Sequence, residues 1–213
     1  QYGQQLQSLL GLGLLPLLAF LGGALTTTLV YLLGTREGGT SVTVMLLAGV
    51  AITALSGAVI GLLTYLADDQ MLRNLRLWQM GSLAAGKPVD VGLALATLVA
   101  LLWLFMRDAN PLNALLLGEG EARHLGVNVQ ALKRRLILLT AAGVGVAVAV
   151  AGMIGFVGLV VPHLVRLLAG PNHVRLLPLS ALLGAALLLG ADMLARTLLA
   201  PAELPVGIIT ALL

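Results

Sequence analysis

The chain has 213 residues, of which 59% are apolar and only 10% charged, with a formal net charge of +3. A soluble domain carries about a quarter of charged residues, so this composition excludes an ordinary soluble fold. Cysteine is absent, which excludes disulfides, thiolate nucleophiles and cysteine metal sites, and the few basic residues form no dense patch for nucleic acid.

Crossing the hydrocarbon core takes about 20 apolar residues. In chain order the apolar runs predict spans at Leu12–Gly34, Val42–Ala67, Val91–Met106, Leu136–Met153, Gly155–Ala169 and Leu176–Leu199, with a seventh starting near Pro205. The fifth is short and contains Pro162, which predicts a half-span or a kinked helix. Gln70–Gly86 is amphipathic: Leu72, Leu75, Trp78 and Met80 oppose Arg73, Asn74 and Arg76, the pattern of a helix lying at the membrane surface. The chain starts at Gln1 and stops within an apolar run, so both ends read as cuts through a longer protein.

The largest polar block is Gly118–Gly126, GEGEARHLG, followed by Lys133-Arg134-Arg135, and it falls in a loop spanning 107–135. Its glycines can start and end a short helix, with Glu119 and Glu121 near the positive N-terminus and Ala122 and Leu125 on a small apolar face. A docking helix and a plain solvated loop both fit this composition. Alternating the spans puts Arg36, Arg107, Arg123, Lys133, Arg134, Arg135, Arg166 and Arg175 on one side. Only Arg73, Arg76, Lys87 and Arg196 fall on the other. The positive-inside rule makes the first side cytoplasmic.

No catalytic constellation is present: HExxH, GxSxG and a P-loop lysine are all missing, and the glycine-bearing Gly34–Gly39 stretch has neither that lysine nor a strand context. Asp192 and Arg196 share one helical face and form an internal pair at lower cost than a proton relay. His124 falls in the polar block and His173 in a cytoplasmic loop, Gly170–His173, both away from any pore.

MLLAG at 45–49, GEGEARHLGV, GMIGFVGLVVPHLVRLLAG, GADMLARTLL and AELPVGIITALL follow one another in order. Together they resemble the FecCD family of permeases from type II ABC importers for iron–siderophore complexes, haem and cobalamin. The resemblance implies an all-α polytopic bundle, with six to seven of roughly ten spans in residues 1–213. It further implies a homodimer in the bacterial inner membrane, two copies of an ATPase subunit, a periplasmic substrate-binding protein, and no cofactor of its own, since ATP binds the partner.

By the same resemblance Glu119, Glu121, Ala122, Arg123 and Leu125 form the coupling helix that docks on the ATPase. Val42 and Thr43 fall where the family narrows its pore, and Arg196 meets the binding protein. His163, in the Pro162-His163 pair, invites a haem-ligand role, but the family carries this pair whatever the cargo, which favours a structural role. The rival from another class is an ion-coupled secondary transporter, for which Asp192 and the Pro162 break are the hints.

Overall fold

The computed structural model describes residues 2–36, 39–81, 83, 88–198 and 206–212. The chain is an all-α membrane helix bundle, and it divides into two compact units: Gln1–Arg76 with Ile137–Ala149, and Leu77–Leu136 with Val150–Leu213.

The first unit begins with α1 (Tyr2–Gly34) and α2 (Val42–Leu66), which pack on each other. Ser41 caps α2, its hydroxyl accepting from the Val44 amide at 3.4 Å. Hydroxyls that face an apolar surround need a partner, and the backbone supplies it. Thr26, Thr27 and Thr28 each donate to the carbonyl four residues earlier, at 2.7–2.9 Å. Where α1 meets the middle of α7, Gly145 lets the backbones approach: a Cβ there would lie 3.1 Å from the Phe20 Cα. Between α1 and α2 a small hairpin forms that the sequence reading lacked, β1 (Thr35–Arg36) against β2 (Gly39–Thr40). Residues 37 and 38 of the glycine-bearing stretch lie outside the described residues.

The amphipathic stretch folds as α3 (Asp69–Met80), shorter than the expected Gln70–Gly86; residues 82 and 84–87, including Lys87, lie outside the described residues. Asp68 starts it by accepting from the Met71 amide at 2.9 Å. Arg73 and Arg76 are exposed, whereas Leu72, Leu75 and Trp78 are half-buried, as the periodicity predicts.

The second unit holds α4 (Pro88–Arg107), α5 (Ala109–Leu115), α6 (Glu119–His124), α8 (Val157–Ala169), α9 (His173–Leu198) and α10 (Val206–Leu212). The helix α7 (Val129–Ala151) starts in this unit. Among the described residues, α2, α4, α7 and α9 are long and apolar enough to cross a membrane. The 13 residues of α8 reach about 20 Å, short of a core about 30 Å thick, so the half-span expectation holds. Val161 and Val165 of α8 pack on Leu176 of α9, and Ala191 and Ala195 of α9 pack on Val206 and Ile209 of α10.

The break between α7 and α8 is tight. Gly152 and Gly81 both have positive φ, at 73° and 68°, and a Cβ on Gly152 would sit 2.5 Å from the Trp78 carbonyl. Only glycine tolerates both demands. Phe156 then turns through φ 64°, ψ −36°, with the Val157 amide donating to the Gly155 carbonyl at 2.8 Å. This γ-turn is strained for a residue with a side chain. The close approach of Gly152 to Trp78 and Gly81 brings the end of α3 against the α7–α8 turn.

Candidate functional site

The block read as one loop, 107–135, is a helical platform. Phe105 accepts from the Asp108 amide as α4 ends, and α5 follows at once. Gly118, at φ 104° and ψ 158°, then starts α6 in a backbone region open essentially to glycine. At the other end Gly126, at φ 84°, closes the helix: its amide donates to Arg123, and the Val127 amide to Ala122, both at 2.9 Å. This pairing is a Schellman stop. The two glycines thus delimit a six-residue helix, with Glu119 and Glu121 in its first turn and Arg123 and His124 in its last, the arrangement that suits the helix dipole.

Two polar links fix the platform, and a third joins it to α9. Glu119 accepts from the Lys133 ammonium at 2.5 Å and meets Arg123 at 3.7 Å, tying α6 to the start of α7. Asp108, buried at the α4–α5 junction, pairs with Arg135 of α7. Asn113 of α5 accepts from the His173 amide at 2.7 Å, faces the His173 Nδ1 at 3.0 Å, and donates to Asn172 at 3.0 Å. The last link brings the start of α9 to the same end as α5 and α6. It agrees with a sidedness that groups Arg107, Arg123 and Arg175.

Of the residues expected to dock, Glu121, Arg123 and Leu125 are exposed and Glu119 is half-exposed. Ala122 and Leu125 do not share an apolar face. Ala122 is fully buried, because it faces inward as α6 seats on its own chain, whereas Leu125 is 63% exposed. Ala122 therefore anchors the helix and presents no atoms to a partner. His173 is likewise no loop residue: it opens α9 and is buried by the Asn113 clamp. Sequence reasoning missed α5 and Asn113. The available signal was Asp108, a residue favoured at helix starts, three positions before Pro111, which is tolerated in a first turn.

Val42 and Thr43, the expected gate, form the exposed first turn of α2. Arg196 donates to Asp192 from Nε at 2.8 Å and from Nη2 at 3.4 Å, so the embedded acid is engaged one turn away on its own helix. His163 is exposed on α8, one residue after Pro162. Among the described residues no three His, Asp or Glu side chains gather as metal ligands.

The relatives agree with this architecture. The chain is 51% identical to the hemin transport system permease protein HmuU of Yersinia pestis, over 92% of this chain and 58% of that one. It is 45% identical to the vitamin B12 import system permease protein BtuC of Vibrio cholerae, over 88% of this chain and 56% of that one. The chain thus spans somewhat more than half the length of these relatives. A solved structure described as a metal-chelate-type ABC transporter in an inward-facing conformation superimposes with a TM-score of 0.83 at 35% identity, covering 91% of this chain and 62% of that one. The pattern of the FecCD transport family matches residues 4–213, and the chain belongs to that family.

Proposed function

We propose that this chain acts as the membrane permease of an ATP-driven, binding-protein-dependent importer that carries a bulky metal chelate, haem, cobalamin or a ferric siderophore, across a bacterial inner membrane. The observation that carries this reading is α6: a short helix delimited by two positive-φ glycines, pinned to α7, and offering Glu121, Arg123 and Leu125 at the end of the unit richest in basic residues. A separate ATPase subunit docks there, one on each permease of a homodimer, and binds and hydrolyses the ATP. A binding protein delivers cargo at the opposite face, near Arg196. No resident cofactor is required.

Mechanically, ATP closes the two ATPase subunits and moves both platforms. The helices then rearrange as packed bodies and open the path to one side at a time. Few charges line such a path, so a large chelate passes without being held, and affinity resides in the binding protein. Val42 and Thr43 form the constriction on the cytoplasmic side. The ion-coupled alternative has no support, since the acid it depends on, Asp192, is bonded to Arg196.

The test is capture of the ATPase subunit by the permease in detergent. Glu121→Ala with Arg123→Ala leaves the permease inserted and lowers capture. Undiminished capture and transport by the double variant would overturn the docking assignment.

A further inference from the structure

We propose that Asn113 is a positioning residue that joins the cytoplasmic platform to α9, and that α9 carries the movement of that platform to the outer docking end. The inference rests on the reading above and adds the residue and the helix through which its two docking surfaces communicate.

The joint is built from directional contacts. Asn113 uses both ends of its amide: Oδ1 accepts the His173 amide at 2.7 Å and faces the ring Nδ1 at 3.0 Å, while Nδ2 donates to Asn172 at 3.0 Å. The same Asn172 oxygen takes the Val174 amide at 3.0 Å, and its carbonyl takes Leu176 at 2.8 Å. The first turn of a helix has amides without intrahelical partners. Here two of them are satisfied by a pair of asparagines, one of which belongs to another helix. His173 is buried over this joint, 8% exposed.

The platform side is equally fixed. Asp108, which precedes α5, is paired with Arg135, and Glu119 of α6 is paired with Lys133, so α5, α6 and the start of α7 are held as one body. On the far side, α9 runs 26 residues, about 39 Å, to the Asp192–Arg196 pair and to α10, on which Ala191 and Ala195 pack. Along its length α9 meets α8 through Val161, Val165 and Leu176, an apolar contact that fixes no direction. Of these contacts, the asparagine joint is the one whose geometry forces the start of α9 to follow α5.

The test uses the assembled transporter in lipid nanodiscs, with ATP hydrolysis measured alone and with cargo-loaded binding protein. Asn113→Ala keeps the ATPase subunit bound and basal hydrolysis near the parent value. Stimulation by the binding protein falls by at least about fivefold, the factor that one net hydrogen bond carries, since the substitution removes more than one. Asn113→Asp retains the acceptor for the His173 amide but sets an oxygen against the Asn172 Oδ1, so it restores part of the stimulation and no more. The proposal is overturned if Asn113→Ala is stimulated like the parent. It is equally overturned if the variant sheds the ATPase or loses basal and stimulated hydrolysis in proportion, since Asn113 would then be structural only. A parent transporter that neither binds the ATPase nor responds to the binding protein would instead refute the importer reading.

Discussion

If α6 docks as a preformed helix, Glu119 acts by holding it and not by touching the ATPase. Its carboxylate lies 2.5 Å from the Lys133 ammonium, whose side chain is only 15% exposed, while Glu119 itself is 42% exposed. Fully exposed pairs contribute about 0.2–1 kcal/mol, and hydrogen bonds to charged groups about 1.5–3 kcal/mol. A half-buried pair falls between these, near about 1 kcal/mol. The second contact, Arg123 at 3.7 Å within one helix, adds only about 0.3–0.5 kcal/mol. Loosening α6 by about 1 kcal/mol weakens ATPase association roughly fivefold. The expected pattern is non-additive: Glu119→Ala and Lys133→Ala each cost about fivefold, and the double variant costs little more than either. Biolayer interferometry of the ATPase subunit on immobilised permease measures all four corners of the cycle. A harmless Lys133→Ala beside a damaging Glu119→Ala, or two penalties that multiply, would mean that Glu119 contacts the partner directly, and the positioning argument fails.

Two glycines with similar backbones separate strain from crowding. Gly126→Ala meets open space and costs about 1–2 kcal/mol of conformational strain, whereas Gly152→Ala adds a collision with the Trp78 carbonyl and costs more, lowering the melting temperature in detergent further; equal melting shifts would contradict the packing described for the α7–α8 break. Arg196→Glu reverses a charge in the last turn of α9, and it also sets two acids against each other on one face through Asp192. Binding-protein association at low salt slows while the dissociation rate changes little, as expected for a rim charge; an unchanged on-rate by surface plasmon resonance removes Arg196 from the docking surface.

Much of the fold was legible because membrane helices announce themselves by length and hydropathy. The spans from Leu12 to Leu199 appear as α1, α2, α4, α7, α8 and α9, and the short fifth is indeed a half-length helix. The glycine limits of α6 were readable too, since Gly118 and Gly126 flank a charge pattern that suits a helix dipole. What stayed hidden depends on contacts distant in sequence. Neither the Asn113–His173 joint, 60 residues apart, nor the burial of Ala122 leaves a local signature. His173 looked like loop because Gly170 and Pro171 precede it, yet the partner that makes it structural lies on α5. Val42, Thr43 and Arg196 could be located from the resemblance alone, and their roles rest on it.

The central claim is that cargo moves by ATP hydrolysis on a docked partner. Proteoliposomes that hold the permease with its ATPase subunit inside, and cargo-loaded binding protein outside, test it most directly. Uptake of haem or cobalamin should require internal ATP, stop with vanadate, and persist when proton and sodium gradients are collapsed by ionophores. Uptake that continues without ATP and disappears with the ion gradient would contradict the account.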